Sequence, residues 1–141
     1  MHAIKLKEGD FYKLYGNDYH KILPRALTER VESELVELNA GDVTPNHVHS
    51  DLEQVFIILN GKVRLDIGGE TKEISAPAMA YVPRNKEHRV TALENSKYVF
   101  VSCWYDKVAP ARTEQELRAY EKKLVTGDQK VSNAQRKRAG L

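Results

Sequence analysis

Cysteine is nearly absent from this chain. Its single thiol, Cys103, leaves no intrachain disulfide to form and fits a reducing compartment. Long apolar runs are missing as well: no segment approaches the roughly 20 apolar residues that a membrane span requires. The stretch from Met1 to Glu8 has no apolar run suited to a signal sequence, so a cytoplasmic location without a membrane partner is the expectation. Charge of one sign is lacking too. The 22 basic and 20 acidic residues leave a net charge of +2, too balanced to mark the whole chain for nucleic acid. No helix-turn-helix pattern is present, which argues against a two-domain ligand-sensing regulator. What remains, 41% hydrophobic and 30% charged over 141 residues, suits one domain with its own core.

The apolar pattern is that of short strands. Ile4 to Tyr19 reads as strand pieces joined by turns at Gly9-Asp10 and Gly16-Asn17-Asp18. Val31 to Leu38 resumes as a strand, but Glu32, Glu34 and Glu37 predict a position at a sheet edge or with one wet face. Val63, Leu65 and Ile67 alternate with Lys62, Arg64 and Asp66, and Gly68-Gly69 then turns the chain into Thr71 to Ile74 as a hairpin. Ala78 to Val82, His88 to Ala92 and Tyr98 to Tyr105 complete an all-β sandwich or barrel.

Beyond Pro110 the pattern changes. Thr113-Glu114-Gln115-Glu116 is a capping box, Leu117, Tyr120 and Leu124 share a helical stripe, and Gly127 is a natural stop. The expected map is N-terminal strands and a connection over 1–30, a barrel over 31–110, one α-helix over 111–127 and a basic tail over 128–141. The tail's Lys130, Arg136, Lys137 and Arg138 could meet an anionic partner, but a solvated terminus is the more ordinary reading.

Chemistry concentrates in His47-Val48-His49-Ser50-Asp51-Leu52-Glu53-Gln54. Two histidines one residue apart on an extended segment point their rings to one side. A third, His88, sits in a polar turn, and three imidazoles with a carboxylate or amide suit a divalent transition metal. His2 and His20 lack partners at ligand spacing and are expected on the surface.

These residues carry a resemblance. Gly41, His47-x-His49, Glu53 or Gln54, and Gly61 resemble the first motif of the cupin family; Pro83-x-Asn85-x-x-His88 resembles the second. Departures are Pro77, Asn85 and Ala92, where glycine, glycine and asparagine are usual; Asn85 tolerates the left-handed conformation of a tight turn. The resemblance spans Leu35 to Tyr105 and implies a double-stranded β-helix, the cupin jelly roll. Counting back from Gly61 favours Gln54 over Glu53 as the fourth ligand, because strand register is regular while the preceding turn can absorb a residue. In that register Gln54, Phe56 and Ile58 face inward, whereas Val55, Ile57 and Leu59 face the other side. A neutral glutamine leaves the ion its full charge, and the same ligand set occurs in cupins that open uronate rings. In those relatives the last strand supplies an aspartate and an aromatic residue, and the matching positions here are Ser102 and Trp104. A serine cannot take up a proton as the missing carboxylate could.

The resemblance therefore implies a divalent ion (Mn, Fe, Ni, Zn or Co) held by His47, His49, Gln54 and His88, with a pocket of Phe56, Ile58, Phe100, Ser102 and Trp104. Candidates for proton transfer are Tyr81 and Arg25, then Glu37 and Tyr105. The reading is a metal-dependent enzyme that isomerises, opens or eliminates from a small oxygenated metabolite such as a sugar acid. An iron-dependent dioxygenase and a non-catalytic binding or storage module are the alternatives. The apolar face of Val55, Ile57 and Leu59 predicts a homodimer, with Ile4 to Leu14 laid on the partner's sheet.

Overall fold

A computed structural model describes residues 1–105. The expected helix over 111–127 and the basic tail over 128–141 lie outside the described residues. Nine strands form two sheets: β1 (Phe11–Leu14), β2 (Asn17–Leu23), β3 (Val31–Leu38), β4 (Leu52–Asn60), β5 (Lys62–Ile67), β6 (Glu70–Ser75), β7 (Ala78–Val82), β8 (His88–Ala92) and β9 (Ser96–Trp104). Their order is β1-β2-β3-β9-β4-β7 in the larger sheet and β6-β5-β8 in the smaller, every pair antiparallel. No helix among the described residues is long and apolar enough to cross a membrane.

The core lies between the sheets. Val36, Phe56, Ile58 and Tyr98 of the larger sheet pack with Val63, Leu65, Val90 and Ala92 of the smaller, as the period-two pattern requires. Gly68 and Gly69 take φ of 59° and 85° in the expected hairpin turn, and Asn85 takes 66° in the second motif's turn. Gly61 (φ 82°) closes the β4–β5 turn so tightly that a Cβ there would collide with the Asn95 carbonyl and the Ser96 hydroxyl.

One expectation is corrected. β3 is not at an edge: it lies between β2 and β9, and Glu32 and Glu34 are buried on its inner face beside Val36 and Leu38. Glu34 is accommodated because Tyr12 Oη donates to it at 2.8 Å and Lys21 Nζ stands 3.8 Å away. Those partners come from β1 and β2, so β3's own pattern could not announce them. β1 pairs with the chain's own β2 and widens the larger sheet.

Candidate metal centre

The first motif enters as an irregular strand. Gly41 to His47 runs antiparallel to β8, tied by Thr44 N to Val90 O (2.9 Å), His47 N to His88 O (3.1 Å) and His88 N to His47 O (2.9 Å). His47 and His88 are thus direct neighbours although 41 positions separate them in sequence. The Asn85 turn donates its amide to the His49 carbonyl at 2.7 Å, which anchors the third histidine to the second motif. The donor atoms of His47, His49 and His88 all lie within 4.8 Å of one another.

Two of the imidazoles are fixed in the tautomer a ligand needs. Nδ1 of His47 bonds the Pro45 carbonyl at 2.8 Å and Nδ1 of His88 bonds the Lys86 carbonyl at 2.9 Å. A carbonyl can only accept, so each Nδ1 carries the proton and each Nε2 keeps its lone pair for an ion. Burial keeps the rings neutral. It pushes His49 down to about 3, helped by His47 beside it, and His88 down to about 2, again with His47 contributing. His47 is lowered by burial as well, against the raising effect of the Pro45 carbonyl.

Gln54, not Glu53, turns inward. It is buried and its Nε2 donates to Ser102 Oγ at 2.9 Å, while Glu53 faces outward and accepts from Tyr81 Oη (3.2 Å) and Tyr105 Oη (2.7 Å). The register count from Gly61 therefore holds. Four buried atoms lack a hydrogen-bond partner at this one place: both ring nitrogens of His49, Nε2 of His88 and Oε1 of Gln54. Buried polar atoms without partners are costly, and a divalent ion would satisfy this set. The donors present thus fit a transition metal of borderline softness.

Beside the histidines lies a cavity of about 60 Å³, lined by Tyr15, Tyr19, Pro45, Phe56, Tyr98 and Phe100. Of the pocket residues expected, Phe56 and Phe100 line it. Ile58, Ser102 and Trp104 face inward but do not; Ile58 is core, Ser102 sits under Gln54, and Trp104 packs under the Arg25 guanidinium 5.5 Å from its ring centre. None of the proton-transfer candidates faces the cavity. Tyr81 and Tyr105 are on the outer face, as is Glu37, bound to Lys7 (3.1 Å) and His20 (2.8 Å). Arg25 is buried as a clasp on the carbonyls of Thr28 (2.9 Å) and Glu29 (2.7 Å). His20, expected on the surface, is nearly buried by Glu37 and Phe11.

Sequence reasoning missed Tyr15, Tyr19 and Tyr98. The turn Tyr15-Gly16 between β1 and β2 was a findable signal, since its Asn17-Asp18 flank marks a hairpin, but only the fold shows that its tip lines the cavity. Burial raises the Tyr98 hydroxyl above its ordinary range, and the nearby Glu34 charge adds to this, so Tyr98 stays protonated.

Two facing sheets with three histidines that could hold one ion between them define a metal-site jelly roll. Residues 34–104 match the family described as the cupin domain, and the chain belongs to that family. No curated protein matches it. Similar solved structures include KdgF from Halomonas sp., with 20% identity and a TM-score of 0.62, covering 68% of this chain and 88% of that one. An RmlC-like cupin from Shewanella frigidimarina has 15% identity and a TM-score of 0.66, covering 82% and 96%. A predicted oxalate decarboxylase from Thermotoga maritima has 14% identity and a TM-score of 0.67, covering 72% and 98%. At these identities the likeness establishes the fold alone.

Proposed function

We propose that this cupin is a divalent-metal-dependent enzyme acting on a small, anionic, oxygenated metabolite, a sugar acid or a more compact carboxylic acid. The observation that carries the reading is the cluster of three neutral imidazoles, of which His47 and His49 line a small cavity together with Gln54 and its unpartnered side-chain oxygen. An ion held by His47, His49, His88 and Gln54 would supply Lewis acidity toward a carbonyl or hydroxyl oxygen. All four donors are neutral, and among the described residues no aspartate or glutamate lines the cavity to offset an ion's charge. An anionic ligand is what such a site selects. Tyr98, kept protonated, can donate a hydrogen bond to that ligand, and Phe56 and Phe100 exclude water from it.

Room for only a few waters favours a compact substrate, or an opening of the Tyr15 hairpin for a sugar ring. A second reading, a non-catalytic binding module, is favoured by one observation: among the described residues no carboxylate or histidine outside the proposed ligand set lines the cavity as a base. The test is metal analysis of the purified protein followed by turnover assays on uronates and short carboxylic acids with the metal restored. Stoichiometric metal with turnover that disappears in His88→Ala supports the enzyme; tight ligand binding without turnover supports the module; absence of metal affinity sinks both.

A further inference from the structure

The hairpin between β1 and β2 carries an unusual residue at its tip. Leu14 pairs with Asn17, so the loop holds only Tyr15 and Gly16, and both have positive φ, 53° and 81°. That is the sign pattern of a type I′ turn, whose first position is ordinarily asparagine, aspartate or glycine. A side chain as bulky as tyrosine seldom adopts a left-handed backbone, because its Cβ crowds the following carbonyl. What the position offers is a place on the wall of the cavity, which Tyr15 lines together with His47, His49 and Gln54.

The hairpin is not free to swing. Tyr12 stacks on Tyr19 across its strands with ring centres 5.1 Å apart, and Lys13 meets Asp18 at 3.1 Å. Leu14 packs against the core, and buried Asn17 donates from Nδ2 to the Val43 carbonyl at 3.5 Å. Val43 lies in the run from Gly41 to His47 that pairs with β8, so the hairpin is tied to the segment that delivers a histidine. Lifting the tip would break these contacts together. The cavity therefore keeps its volume of about 60 Å³, and at roughly 10–15 Å³ for each water it offers about five water-sized positions. An acid of two or three carbons has about that many non-hydrogen atoms; a uronate ring has more than twice as many.

We propose that Tyr15 is the specificity-determining residue of this site, a fixed stop at the hairpin tip that limits the ligand to a compact oxygenated acid of two or three carbons and excludes sugar rings. The inference rests on the proposed metal reading and narrows it. The turn keeps a residue that its backbone disfavours because the ring serves the cavity.

The experiment loads the full chain with cobalt(II) and titrates it with pyruvate and with D-galacturonate, followed by the visible spectrum of the ion, with melting curves of the metal-free chains alongside. Wild type should bind pyruvate at least about tenfold more tightly than galacturonate. Tyr15→Asn and Tyr15→Gly, whose new residues suit a left-handed turn, should abolish that preference and leave the melting temperature unchanged or higher. Tyr15→Phe keeps the ring and should keep the preference. Equal affinities in wild type, or a preference that survives in both Tyr15→Asn and Tyr15→Gly, overturn the proposal. A preference lost in Tyr15→Phe assigns the selection to the hydroxyl and overturns the steric stop, and a lower melting temperature in both Tyr15→Asn and Tyr15→Gly overturns the argument from the turn. Cobalt bound without a spectral response to either acid overturns the anionic-ligand reading, a chain that binds no cobalt overturns the metal reading, and the inference falls with either.

Discussion

Lowering the pH should destabilise the metal-free chain well before its carboxylates titrate. His49 and His88 are buried neutral, depressed from an ordinary value of 6.5 to about 3 and about 2. Unfolding restores the ordinary value. Below about pH 6.5 the unfolded state therefore binds protons that the folded state refuses, and stability is lost as pH falls toward the folded values. Each pH unit in that window costs about 1.4 kcal/mol per histidine. Between about pH 6.5 and about pH 5 the two rings together cost about 4 kcal/mol, out of the roughly 5–15 kcal/mol a domain possesses. The melting temperature of the metal-free chain should fall by roughly 10 °C over this interval. Glu37 and Asp66 do not confuse the window. Burial raises both, but Lys7 and His20 outweigh it at Glu37, and Thr71 and Arg89 at Asp66, so both stay below their ordinary 4.5 and 3.8. Their stabilisation is present above those values and is lost only at more acid pH. The assay is a pH series of melting curves, with and without added divalent metal, on wild type and on the double variant His49→Gln/His88→Gln. A flat metal-free profile between pH 6.5 and 5, or an equal slope in the double variant, would refute the reasoning.

Other outcomes follow from the same structure. Glu53→Ala should leave metal affinity unchanged and cost about 1–2 kcal/mol from its two tyrosine hydrogen bonds, as urea unfolding would register; lost metal would make Glu53 a ligand after all. Gly61→Ala should lower the melting temperature by at least several degrees, since φ of 82° and the collision with Asn95 and Ser96 act together. The outer face of the larger sheet leaves Met79 and Tyr81 exposed beside half-buried Val55 and Ile57. A homodimer that covers this face should bury more than about 1,200 Å². Light scattering should then give twice the single-chain mass, and a single-chain mass at micromolar concentration would remove the dimer.

The strands were legible because alternation survives wherever one face is buried. Val63, Leu65 and Ile67, and likewise Gln54, Phe56 and Ile58, took the faces that the period of two assigned them. The three histidines that could hold an ion, and the inward face of Gln54, were legible because motif spacing and strand register pick out these residues. The proton carriers were not. Tyr81 and Glu37 are polar residues on strands, and their local sequence does not say which face is the inside. Glu32 and Glu34 misled in the opposite direction, since charges on a strand ordinarily mark water. The burial of Glu34 rests on contacts from other strands, which no single strand's pattern contains.

The backbone pairing of His47 with His88, and of Asn85 with His49, means that three of the four proposed donors are set by main chain and only Gln54 by a side chain. Substitution can seldom reach a side chain held by main-chain bonds without disturbing the fold. At Gln54 a single exchange for glutamate would alter the charge around any ion held there while leaving the three imidazoles where they are. On the proposed reading, a lineage built on this barrel could move between neutral and anionic ligand sets in one step.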